Sequence, residues 1–161
     1  MYRNYTTRVL LDCLCSDFIA KGKGIIGLEK AVRYTEKARS TGVGLLGFHS
    51  YLQKHSLEFE GFEAHQKNTE IFSHIQEECA MASAWMAEAW GEPEICKGFN
   101  RRGTHDMAVA PNMSSATLCM QVSQGIEPWL AVIFIQPTAS GQMVRVNPEF
   151  LKLCDEKGKK L

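Results

Sequence analysis

A chain of 161 residues is long enough for one domain with a core of its own. Hydrophobic residues make up 45% and charged residues 22%, a balance that excludes a disordered chain. The 18 basic residues match the 18 acidic ones, so no net charge pulls the chain toward nucleic acid or an anionic membrane, and a phosphate ligand must be held locally by backbone dipoles and hydroxyls. No apolar run approaches the roughly 18 residues of a membrane span. Met1 to Tyr5 carry no signal-peptide core, so the expected location is cytoplasmic.

Taken in chain order, residues 2 to 21 predict a helix, with Val9, Leu10, Cys13, Leu14, Phe18 and Ile19 as its core stripe. Lys21 to Gly24 end it. A second helix is expected over 28 to 38, with Leu28, Ala31, Val32 and Thr35 on one face. "STGVGLLGFHSYL" suits a short buried strand and then a helix from Phe48 to about Lys54. The longest helical signal runs from 62 to 90, with Ile71, Ile75, Ala82, Met86 and Ala89 as its stripe, stopped by Gly91-Glu92-Pro93. "RRGTHDMAVAP" reads as a loop feeding a strand, which breaks at Pro111 and restarts as a helix that opens with Ser114 and Ser115. "WLAVIFIQ", "PTASGQ" and "MVRVN" read as strand, hairpin loop and return strand. Pro148 begins a last helix with a basic end. The pattern is α/β, with too few segments for a closed barrel.

Several motifs bear on chemistry. Gly42-Val43-Gly44-Leu45-Leu46-Gly47 matches G-x-G-x-x-G, but a charged helix precedes it and no second strand follows at the required distance, so it reads as glycines that let a strand and a helix pack closely. Cys13, Cys15, Cys79, Cys96, Cys119 and Cys154 sit at no metal-ligand spacing and read as mostly buried, reduced thiols; His49, His55, His65, His74 and His105 read as surface or capping residues. No metal site is expected. Arg101, Arg102, His105 and Asp106 form the most polar cluster, either a solvated loop or an aid to an anion. At "AVAPNMSSATLCM" a strand, a corner and a helix start coincide. The first turn of a helix leaves N–H groups unpaired at the positive end of its dipole, and Ser114 and Ser115 add hydroxyls. Spacing alone leaves open a plain turn and an anion site.

Four stretches in order, "TGVGLLGFHSYLQ", "HDMAVAPNMSSATL", "SQGIEPWLAVIFIQ" and "MVRVNPEFLKL", carry a resemblance over essentially the whole chain. The sequence resembles the later part of the large, catalytic subunit of aerobic-class ribonucleotide reductase. The resemblance implies one domain over residues 1–161, a fragment of the ten-stranded reductase-type α/β barrel, helix-rich with a C-terminal β-hairpin. It implies that Pro111 shapes a substrate-phosphate loop, that Asn112 and Met113 offer backbone N–H groups, and that Ser114 and Ser115 add hydroxyls. Met113 departs from the small or acidic residue often found there. None of the six cysteines matches the family's thiyl-radical cysteine or its reducing pairs, so no catalytic residue is expected in this chain, and no cofactor.

The expected role is therefore that of a component of a split large subunit, a setting natural to viral genomes, not active alone. Assembled, it would serve reduction of ribonucleoside diphosphates for deoxyribonucleotide biosynthesis and DNA replication. The implied partners are other fragments of the large subunit, a small radical-generating subunit that contains the metal, and the nucleoside diphosphate. A homo-oligomer is a further possibility; membrane and direct nucleic-acid contacts are not expected. The alternatives are an inactive remnant acting as a binding or assembly protein, with the helix at 66 to 90 as its partner surface, and a small stand-alone phosphate-binding enzyme.

Overall fold

The computed structural model describes residues 3–119, 121–138 and 141–159. These divide into two compact units, Met1–Gly44 with Thr69–Ala108, and Leu45–Asn68 with Val109–Leu161.

The first unit contains helices α1 (Arg3–Gly22) and α2 (Glu29–Ala38), most of the long helix α4 (Phe62–Trp90), and a 3-10 turn at Glu94–Cys96. Helix boundaries follow the sequence expectation closely, because Gly22, the glycine-containing 22–27 stretch and Gly91 interrupt the periodicity where the helices stop. Val43, Ile75 and Cys79 form the buried cluster, with Leu11, Ile71, Phe72 and Met107 against it. On α4 the expected stripe holds at Ile75, Ala82 and Met86, while Ala89 is exposed. The large apolar side chains that α4 leaves exposed in this unit are Met81, Trp85 and Trp90.

Helix α1 departs from expectation in which face it buries. Leu10, Leu14 and Phe18 are exposed at 58%, 54% and 38%, whereas Arg8 and Asp12 are fully buried. The reason is an ionic network that the periodicity does not reveal. Arg8 Nε lies 2.8 Å from Asp106 Oδ1, and Arg101 reaches the other oxygen of that carboxylate at 2.7 Å. Arg39 and Arg102 meet Asp12 Oδ2 at 2.8 and 3.4 Å. Buried charge is tolerated only when paired in this way. Glu78 is also buried and accepts a hydrogen bond from the Asn4 amide at 2.9 Å, in the first turn of α1.

The two strands expected within "STGVGLLGFHSYL" and at the end of "RRGTHDMAVAP" shrink to a single parallel bridge, Val43 to Met107. The Val43 amide donates to Asp106 O at 3.0 Å and the Ala108 amide to Val43 O at 3.1 Å. A side chain at Gly42 or Gly44 would run into Ala108, so these two glycines serve the close approach of two extended segments, not of a strand and a helix.

The second unit contains α3 (Phe48–Lys54), the first turns of α4, α5 (Met113–Leu118), an antiparallel hairpin of β1 (Ile133–Thr138) and β2 (Gly141–Val146), and α6 (Pro148–Glu156). The register pairs Ile133 with Val146, Ile135 with Val144 and Thr138 with Gly141. Both strands thus extend into the expected "PTASGQ" loop, whose Ala139 and Ser140 lie outside the described residues. Strand β1 begins four residues after Trp129, because the Trp129 amide is already bonded to His49 Nδ1 at 3.0 Å rather than to a neighbouring strand. Pro148 sits in the first turn of α6, and Asn147 caps it by accepting from the Glu149 and Phe150 amides.

No described helix is long and apolar enough to cross a membrane. Among the described residues no group of three or more His, Cys, Asp or Glu side chains is placed to hold a metal ion. The six cysteines are free, but only Cys79 and Cys96 are buried; Cys13 and Cys119 are exposed, contrary to the mostly buried thiols expected from their helical positions.

Candidate functional site

In the second unit the corner is built from Ala110 to Ser115. Pro111 cannot continue a ladder, and Asn112 takes the left-handed conformation, φ 50° and ψ 42°, that its short polar side chain tolerates. This turns the chain directly into α5. Met113, not a serine, is therefore the first helical residue, and Ser114 and Ser115 fill the rest of the first turn.

The first amide to close a helical ring is that of Ala116, which donates to Asn112 O at 2.8 Å. The amides of Met113, Ser114 and Ser115 precede it and have no acceptor within the helix. The Asn112 side chain makes no cap bond. Pro111, Asn112, Met113, Ser114 and Ser115 are all exposed, while Ala116 is fully buried and anchors the turn. The arrangement presents a run of backbone donors and two hydroxyls to solvent, with partial positive charge from the peptide dipoles and no formal cation. Chemically it can hold an anion; it has no nucleophile and no base.

Behind this corner stand the turn at Gly125–Pro128, legible in the sequence as a turn, and Ser50, Ser123 and Trp129, whose support of it was not. Gly125, of the Gly-Ile-Glu-Pro turn, has φ +47°, and a Cβ there would lie 2.6 Å from Ala110 O and 3.8 Å from the Pro111 Cα. Its own carbonyl accepts from the Phe48 amide at 3.2 Å. Ser50 and Ser123 exchange bonds, each amide donating to the other's hydroxyl at 3.1 and 2.9 Å. The indole of Trp129 donates to Ser50 Oγ at 3.1 Å. His49, whose Nδ1 accepts from Trp129, is pulled below its ordinary pKa by burial, which keeps it neutral and able to accept. The Gly-Ile-Glu-Pro turn was the one available signal for this support.

The polar cluster in the first unit is otherwise committed. Arg101 is paired with Asp106, and Arg102 with Asp12, Trp90 O and Gly91 O. His105 Nδ1 is 3.1 Å from Ser40 Oγ. That cluster is a structural network rather than a solvated loop.

The family model for the ribonucleotide reductase barrel domain matches residues 15–106. The chain belongs to the ribonucleotide reductase barrel-domain family. The matched span stops before Pro111, but the relatives carry the likeness across the corner. The large subunit of ribonucleoside-diphosphate reductase from Invertebrate iridescent virus 6 is 32% identical over 148 residues, 92% of this chain and 15% of that protein. Its counterpart from Invertebrate iridescent virus 3 is 35% identical over 130 residues, 81% of this chain and 21% of that protein. Among solved structures, the alpha subunit of the class Id ribonucleotide reductase of Actinobacillus ureae is 37% identical, with a TM-score of 0.84 over 98% of this chain and 28% of that one. The chain thus spans between 15% and 21% of the length of these curated relatives. Its fold is a portion of the reductase barrel domain, helix-rich, with a two-stranded hairpin in its C-terminal part that is followed by α6.

Proposed function

We propose that residues 1–161 are one fragment of a split ribonucleotide reductase large subunit, and that Pro111, Asn112, Met113, Ser114 and Ser115 hold the diphosphate of the substrate. The observation that carries the reading is the exposed first turn of α5, where three successive amides lack helical acceptors beside two serine hydroxyls. The similar viral proteins are ribonucleoside-diphosphate reductases by name, which supports a nucleoside diphosphate as the ligand.

The share of catalysis assigned to this chain is positioning. The loop fixes the diphosphate so that the ribose faces a thiyl radical carried by another fragment, and orientation of this kind supplies several kcal/mol of rate. The radical originates in a small subunit that holds the metal. The product supplies deoxyribonucleotides for DNA replication, in the cytoplasm. The exposed stripe Leu10, Leu14 and Phe18 on α1 suits a chain that docks with companion fragments, and it equally suits the second reading, an inactive assembly protein.

The test is Ser114→Ala combined with Ser115→Ala in the enzyme reassembled from this chain, companion fragments and the small subunit. Hydrogen bonds to a charged group are worth about 1.5–3 kcal/mol each, so the apparent KM rises at least about tenfold while kcat changes little. Equal falls in kcat and kcat/KM at unchanged substrate affinity would refute the clamp. A chain that stays monomeric by light scattering and ignores co-expressed companion fragments would refute the split enzyme.

A further inference from the structure

We infer that Arg145 is the positioning residue of the proposed diphosphate loop, its guanidinium clamping both ends of segment 113–122. The ligand consequence rests on the diphosphate reading; the clamp rests on contacts within the second unit alone.

Helix α5 has six residues, and Ala116 is its only buried one. A helix of that length does not hold itself together in water, and one buried alanine is too little packing to fix its orientation. Another group must hold it. Arg145, on β2 opposite Phe134, is 0% exposed. Its Nη1 donates to Thr117 Oγ1 at 3.2 Å and to Gln136 Oε1 at 3.1 Å, and its Nη2 donates to Val122 O at 3.1 Å. The Thr117 hydroxyl in turn donates to Met113 O at 3.1 Å. A relay therefore runs from the guanidinium through Thr117 to the first residue of α5, while the other arm of the same guanidinium holds the chain just beyond the helix.

Among the described residues no carboxylate pairs with Arg145. Its charge is balanced by oxygens and by the faces of Trp129 and Phe134, whose ring centres lie 4.9 and 5.9 Å from Cζ. A cation beside the last turn of α5, bonded to Thr117, also suits the negative end of the helix dipole. A planar fork reaches Thr117 and Val122 at once; a lysine ammonium, a single point on a flexible stem, does not. Since Trp129 is itself tied to His49 and Ser50, the aromatic face against the guanidinium is fixed in place.

The experiment is amide hydrogen exchange on the full chain, free and with inorganic pyrophosphate, for Arg145→Lys, Thr117→Val and Thr117→Ser. In the free chain, Ala116 to Cys119 exchange about tenfold faster in Arg145→Lys and in Thr117→Val, while Thr117→Ser matches the parent and α1 is unchanged in all three. Pyrophosphate affinity falls by about tenfold in the same two variants and recovers in Thr117→Ser. Unchanged exchange at 116–119 in Thr117→Val overturns the clamp, and this variant decides the matter if Arg145→Lys unfolds the unit. A parent chain that shows the exchange effects but does not bind pyrophosphate overturns the diphosphate reading and leaves the clamp standing.

Discussion

Replacing Asp106 by Asn removes one negative charge and little else, so its cost measures what that charge does for Arg8. The Arg8 side chain is fully buried, with Nε 2.8 Å from Asp106 Oδ1. Among the described residues its Nη1 and Nη2 have no hydrogen-bond partner, so the carboxylate is the compensation for a buried cation. Breaking a buried pair from one side costs about 3–5 kcal/mol, against the roughly 5–15 kcal/mol that holds a typical domain folded. Asp106→Asn is therefore expected to lose a large fraction of the stability. The pair Arg8→Met with Asp106→Leu removes both charges at similar volume and leaves only Arg101 without its partner. Arg101 is 40% exposed, and a surface pair of that kind is worth about 0–1 kcal/mol, so the double variant is expected to be the more stable of the two. Urea unfolding at pH 7, followed by far-ultraviolet circular dichroism, gives both values from midpoint and slope. An Asp106→Asn cost below the roughly 1 kcal/mol of a surface pair, or a double variant no more stable than the single, would refute the account.

Two further outcomes follow from the same geometry. Gly125→Ala places a side chain in the left-handed region, at about 1–2 kcal/mol, and its Cβ would sit 2.6 Å from Ala110 O; urea unfolding should show at least that loss, and an unchanged midpoint would mean the corner yields freely. Burial, with Asp106 and Glu78 adding to it and Arg8 opposing, pushes the Cys79 thiol up to about 11, so at pH 8 only about one molecule in a thousand carries the reactive thiolate. Iodoacetamide at that pH should label the exposed Cys13 and Cys119 first and Cys79 only after unfolding, as read by peptide mass spectrometry; early labelling of Cys79 would contradict its burial.

The helices were legible because their signals are local. Pro148, Gly91 and the 3.6-residue period of 62–90 mark ends and faces within a few residues of each other. Helix α1 shows where that legibility ends. Its apolar stripe is plain in the sequence, but periodicity reports that two faces differ, not which one the rest of the chain covers. Arg39, Arg102 and Asp106 decide that, from 27, 90 and 98 residues away. The parallel strands faded for a related reason: Val43 finds one extended neighbour, and a ladder with one short partner supports little more than a bridge. At the candidate site, the Pro-Asn corner was readable from residue type. The left-handed Asn112 that makes Met113 the first helical residue was not, nor was the buried Arg145, which looks from the sequence like one exposed position of an alternating strand.

The network around Arg8 also fixes an order of events during synthesis. Arg8 is made before its partner Asp106, which follows 98 residues later. At about 5–20 residues per second, roughly 5–20 s pass between the two. Until then the polar face of α1 has no carboxylate from Asp106 to turn toward, and a solvated guanidinium has no reason to leave water. The inward-facing position of α1 is thus an arrangement the nascent chain cannot complete until the segment around Asp106 has been made.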